Sequence, residues 1–132
     1  MIQEDKDLLL KDLCARLPYK TKIHLTEYSD LTGEKLPSKI KILDYCMLGK
    51  VQAYCKGFRK DEVKLYLFPL SSMTEEQKII YGNLCYAVIH SLAWDMQAAL
   101  NELIDWLNKN HFDYRGLIEK GLANDATGLN IY

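Results

Sequence analysis

An α+β fold is the class this sequence predicts, and three observations predict it. Apolar residues recur at helical spacing near the N-terminus, alternate with period two from Tyr19 to Phe68, and return to helical spacing after Thr74. The expected architecture is an N-terminal helix, then a four-stranded, strongly twisted antiparallel sheet or SH3-like small barrel, then two to three C-terminal helices. No internal repeat, low-complexity tract or linker divides the chain, so residues 1–132 read as a single domain.

Each element has its own signal. Between Asp5 and Leu17, the residues Leu9, Leu10, Leu13, Cys14 and Leu17 lie at helical spacing, and Pro18 marks the stop. In residues 21–29, Ile23 and Leu25 alternate with His24 and Thr26, and Asp30 to Gly33 is a turn signal. A second strand is expected over residues 38–47. Leu48-Gly49-Lys50 leads into a third over 50–58, Arg59 to Glu62 forms a charged turn, and a fourth strand ends at Pro69.

Thr74 followed by Gln77 is a capping box, and Glu75 and Glu76 suit the positive end of the helix that follows. Gly82-Asn83 reads as its stop. The segment Leu84 to Ser91 fits a buried strand, a helical turn or the lead-in to the next helix. From Leu92 to Lys109 the chain divides into two faces. On a helical wheel an arc of about 160° holds Leu92, Ala93, Met96, Ala99, Leu100, Leu103, Ile104, Trp106 and Leu107. That arc makes the segment the expected lid over the sheet, and Trp94 is the large apolar residue left on the polar side. Asp113 is placed to cap a short last helix, Tyr114 to Lys120, closed by Gly121.

Composition sets bounds on function. Seventeen basic against eighteen acidic residues give a formal net charge of −1 and no global field toward nucleic acid or an acidic membrane. The N-terminal residues form neither a signal peptide nor a transmembrane span, which leads to the expectation of a cytoplasmic protein with reduced thiols. Cys14, Cys46, Cys55 and Cys85 form no Cys-x-x-Cys pair, and they read as small buried or half-buried side chains rather than zinc ligands. No cofactor, metal or catalytic residue is expected. The sequence carries no glycine-rich phosphate loop, HExxH or GxSxG motif.

Three blocks of the chain resemble, in the same order, a family of short proteins from gut Bacteroidetes genomes and their phage- and prophage-like elements. They are DLLLKDLCARLPY (residues 7–19), KLYLFPLSSMTEEQ (64–77) and IDWLNKNHFDYRGLIEKGLA (104–123). The resemblance implies a mobile element and a bacterial cytoplasm. It transfers no activity, cofactor or catalytic residue.

Three candidate surfaces remain. The corner His111, Asp113, Tyr114 and Arg115 could supply a base, a carboxylate and an anion clamp, but a capped turn between elements explains the same residues. Tyr45, Tyr54 and Tyr66 with Lys41, Lys56 and Lys64 would form an aromatic, basic strand face of the kind that holds nucleic acid, or else cross-strand packing pairs and edge protection. Nine tyrosines and two tryptophans exceed what a core of this size must bury, which favours protein contact with Trp94 and Tyr86 as candidates, although for Trp94 cover of the Leu84 to Ser91 segment is the favoured role. The expected function is that of a non-enzymatic accessory protein of a phage or mobile element, acting on a protein partner and open to homodimer formation. A nucleic-acid module ranks second and a small hydrolase or nuclease third.

Overall fold

The computed structural model describes residues 2–55 and 62–132, and within these the side chains of residues 54 and 55 are not described. In chain order the elements are α1 (Gln3–Arg16), β1 (Lys22–Thr26), β2 (Lys39–Ile42), α2 (Tyr45–Cys55), β3 (Glu62–Pro69), α3 (Glu75–Ile89), α4 (Met96–Lys109), β4 (Phe112–Asp113) and β5 (Ala123–Asp125), with 3₁₀ turns at Leu17–Tyr19 and Leu70–Ser72. The class is α+β, and the sheet is open and mixed. β1 runs antiparallel to both β2 and β3, while β3 runs parallel to β4 and β5.

Two departures from the expected meander share one cause. The alternation read from residues 38–47 stops at Ile42, and the expected third strand is the helix α2. The Asp44 side chain accepts a hydrogen bond from the Met47 N–H at 2.9 Å, which is an N-cap in the position before Tyr45. From there Leu43, Met47 and Val51, four residues apart, place one stripe in the core. The residues that looked like two strand faces are one helix face and its solvent side. Residues 56–61, including the start of the charged turn expected at Arg59 to Glu62, lie outside the described residues.

The β1–β2 hairpin follows its sequence signal. Gly33, at φ +72°, takes the left-handed conformation the turn requires, and its N–H donates to the Ser29 carbonyl. Alternation then sorts the sheet's two faces. Ile23, Leu25, Val63, Leu65 and Leu67 are buried with Leu9 and Leu13 of α1 and the α2 stripe. Leu117, Leu122 and Ala123 complete this core from the C-terminal segment.

At the other end the Tyr132 hydroxyl accepts from the Lys22 N–H and donates to the Tyr66 carbonyl, at 2.8 and 2.7 Å. The register that sets Ile23 opposite Leu65 would bring Lys22 opposite Tyr66, so this hydroxyl occupies the next rung of the ladder.

The C-terminal half departs from expectation in three ways. Helix α3 continues through Gly82 and Asn83 to Ile89; it packs along α4, and Tyr81, Leu84, Cys85 and Val88 are half-buried. Helix α4 begins at Met96, and the last helix expected at Tyr114–Lys120 is a set of turns. Nor is α4 a lid. Its lower end is anchored, with Leu107 buried against Met73 and Phe112 and with Trp106 stacked on both Tyr81 and Phe112. Farther up, Met96 and Leu100 are 46% and 39% exposed.

The N-terminal helix is tied to the C-terminal corner by a buried ion triad. Asp12 accepts from Arg16 Nε and from Arg115 Nη1, both at 2.7 Å, and Asp12 and Arg16 are fully buried. Replacing Asp12 with alanine leaves two guanidinium groups without their counter-charge. The expected loss is about 3–5 kcal/mol of unfolding free energy in urea titration. Thr74→Ala, which removes one cap of an exposed helix, is expected to cost only about 1 kcal/mol.

Candidate functional site

The corner at residues 111–115 brings its polar atoms together to hold the fold. Asp113 accepts from the backbone N–H groups of Leu117 and Ile118 at 2.9 Å through its two oxygens, so the expected cap exists, on a turn instead of a helix. Tyr114 donates to the Asn108 side chain at 2.8 Å, and its ring meets two cations, with its centroid 5.1 Å from the Arg16 guanidinium and 4.8 Å from that of Arg115. Arg115 is committed to Asp12, and Arg16 also donates to the Phe112 carbonyl at 2.6 Å. Arg16 Nη1 is buried with no hydrogen-bond partner among the described residues.

His111 turns the chain from α4 into β4. Its φ of +61° reverses the backbone, and its carbonyl accepts from the Phe68 N–H. The imidazole stacks on Tyr132 at 3.8 Å between centroids, with Nδ1 3.3 Å from the Thr21 hydroxyl. Burial, then the charges of Arg16 and Lys22, push its pKa down to about 4, so the ring is neutral at pH 7. Burial likewise raises Tyr132 to about 12. The two rings line a depression of about 350 Å³ together with Phe68, Ser72, Thr74 and Gln77. Ser72 donates to the Pro69 carbonyl, and Thr74 and Gln77 are used in their capping box. Asp12 is 103 positions from Arg115, Arg16 is 96 from Phe112 and Thr21 is 90 from His111, separations no local motif reveals. 

 

The strand face expected for nucleic acid is not assembled. Tyr66 is 7% exposed, with its hydroxyl 2.9 Å from His24 Nδ1. Tyr45 is exposed but opens α2, and Tyr54 sits on the same helix instead of a strand. Lys41 is exposed on β2, Lys64 pairs with Glu62 at 3.4 Å, and Lys56 lies outside the described residues. Cys14 and Cys46 are exposed, against the expectation of burial. Among the described residues no three of His, Cys, Asp and Glu gather closely enough to hold a metal ion, and no helix is long and apolar enough to cross a membrane.

The third surface is the α3–α4 hairpin. From Thr74 to Trp106 not one residue is buried. Tyr86 is 63% and Trp94 78% exposed, so little of the Trp94 ring is covered, against the intramolecular packing expected for it. Ile79, Ile89 and Leu92 are exposed as well. The signal available in the sequence was charge: residues 79–94 contain no Asp, Glu, Lys or Arg.

Compared with models of known protein families, with curated proteins and with solved structures, the chain matches none.

The His111 pKa carries a stability prediction with a definite sign. The folded state holds the ring neutral down to about pH 4, whereas the unfolded chain takes up a proton near 6.5. The stabilisation is therefore present above pH 6.5 and lost as pH falls from 6.5 toward 4. Thermal unfolding across that window should show the midpoint falling with acid. His111→Asn, which tolerates the positive φ, should flatten that slope.

Proposed function

We propose that this protein is a non-enzymatic accessory protein of a bacterial phage or mobile element, acting by protein–protein contact through the α3–α4 hairpin. One observation carries the reading. Eleven consecutive residues of α3, Ile79 to Ile89, bear no Asp, Glu, Lys or Arg, yet no residue of that helix is buried. A helix that is apolar all round belongs in an interior, and here that interior requires another molecule. Tyr86 and Trp94 are the residue types that dominate binding energy when a partner desolvates them.

The anchoring supports a docking role. Tyr81, Trp106, Phe112, Phe68 and Tyr132 form a chain of ring contacts from the hairpin base into the sheet. Above Trp106, α4 extends about 15 Å farther to Met96 at 1.5 Å per residue. The polar groups of the corner, by contrast, are engaged in bonds that hold the fold.

The test compares capture of bacterial proteins by the wild-type chain and by the double variant Tyr86→Ser/Trp94→Ser. Both positions are exposed in the single chain, so the variant should keep the wild-type circular dichroism spectrum. A partner retained by the wild type and lost at least tenfold by the variant is the expected result. Equal retention by both proteins would remove the hairpin from the reading.

A further inference from the structure

We infer that the hairpin's partner is a second copy of this chain, with α3 packed antiparallel against α3 of the other copy about a twofold axis that crosses the helix at the level of residue 84, on the side away from α4. The inference rests on the hairpin being a docking surface and adds what docks there.

Helix α3 carries two apolar stripes. One, with Tyr81, Leu84 and Val88, is half-buried on the side of α4. The other, Ile79, Gly82, Tyr86 and Ile89, follows at spacings of three, four and three, the periodicity that lines the seam between packed helices. On this second stripe Ile79, Tyr86 and Ile89 are 66%, 63% and 75% exposed.

The second stripe is complementary to itself when reversed. Antiparallel pairing about Leu84 sets Ile79 of one copy against Ile89 of the other, and Gly82 against Tyr86. Each large ring then meets the smallest residue of the stripe, and a Cβ placed on Gly82 would find nothing within 4 Å in the single chain. A twofold contact requires this reciprocity, since every pairing must occur twice with the roles exchanged.

Charge agrees with the register. The charged residues of α3 are Glu75, Glu76 and Lys78, all at its start, and in this arrangement they lie past the end of the other α3, near residues 90–93, which contain no Asp, Glu, Lys or Arg. No like charges face each other. The same absence of Lys and Arg from residues 79–94 disfavours an anionic lipid surface.

The apolar surface on offer is large. Ile79, Tyr86, Ile89, Leu92 and Trp94 together expose on the order of 700 Å² per copy, roughly half of it on the α3 stripe and the rest on Leu92 and Trp94 just beyond it. A contact that covered all five in both copies would reach the range of about 1,200–2,000 Å² of specific, stable interfaces.

Sedimentation and light scattering of the full chain test the inference, with an expected mass of twice 15.3 kDa. Ile79→Glu and Ile89→Lys alone should each weaken self-association at least tenfold, and an equimolar mixture of the two should recover it as a heterodimer. Gly82→Leu, a change that favours helix, should also weaken self-association by filling the seat of Tyr86. Asn101→Lys on the polar side of α4 should leave the mass unchanged.

A wild-type mass of 15.3 kDa at 200 µM overturns the inference, as does failure of the mixed variants to associate. Monomers that bind neutral phosphatidylcholine vesicles also overturn it. None of these outcomes decides the hairpin's role as a docking surface, which the capture comparison tests separately.

Discussion

The buried contact of Asp12 with Arg16 and Arg115 is the constraint on which the two halves of this chain depend. It joins α1 to the corner after α4, where the Arg16 guanidinium also holds the Phe112 carbonyl. A carboxylate taken wholly out of water is tolerated only when paired and hydrogen-bonded, and here two guanidinium groups meet it at 2.7 Å. With the corner held, β4 can lie beside β3 and Asp113 can cap the turn that sends Leu117 into the main core.

The same constraint shapes the surroundings of His111. Arg16 contributes positive charge that disfavours the imidazolium, and the neutral ring can stack flat on Tyr132. Tyr132 in turn completes the β1–β3 ladder through its hydroxyl. Acidic and basic groups at the corner therefore serve the joining of sheet, helix and tail.

The hairpin obeys the opposite rule. Below Trp106 its side chains enter an aromatic cluster, and above it they meet water with large apolar surfaces. The cost of that exposure falls when another molecule covers it. Anchored and exposed segments thus divide one hairpin along its length.

Much of the fold was legible in local chemistry. Pro18 beyond α1, the Asp30–Gly33 turn, the Thr74–Gln77 capping box and the strand alternation around Ile23 and Leu65 act over a few residues, and each stands where its residues put it. Asp44 as an N-cap was present in the sequence too, but its signal competed with an apparent period-two pattern that α2 overrides. The Leu92–Lys109 arc identified an amphipathic helix without saying what would meet its apolar side.

Sequence by itself determined the α+β class, the amphipathic stripes and the uncharged run at residues 79–94, because those depend on composition and short spacing. Only tertiary structure decided which stripes are covered. The pairing of Asp12 with Arg115, the stacking of His111 on Tyr132 and the exposure of Tyr86 and Trp94 arise from contacts between distant segments or from their absence. Burial is a property of the assembled chain, and no local pattern encodes it.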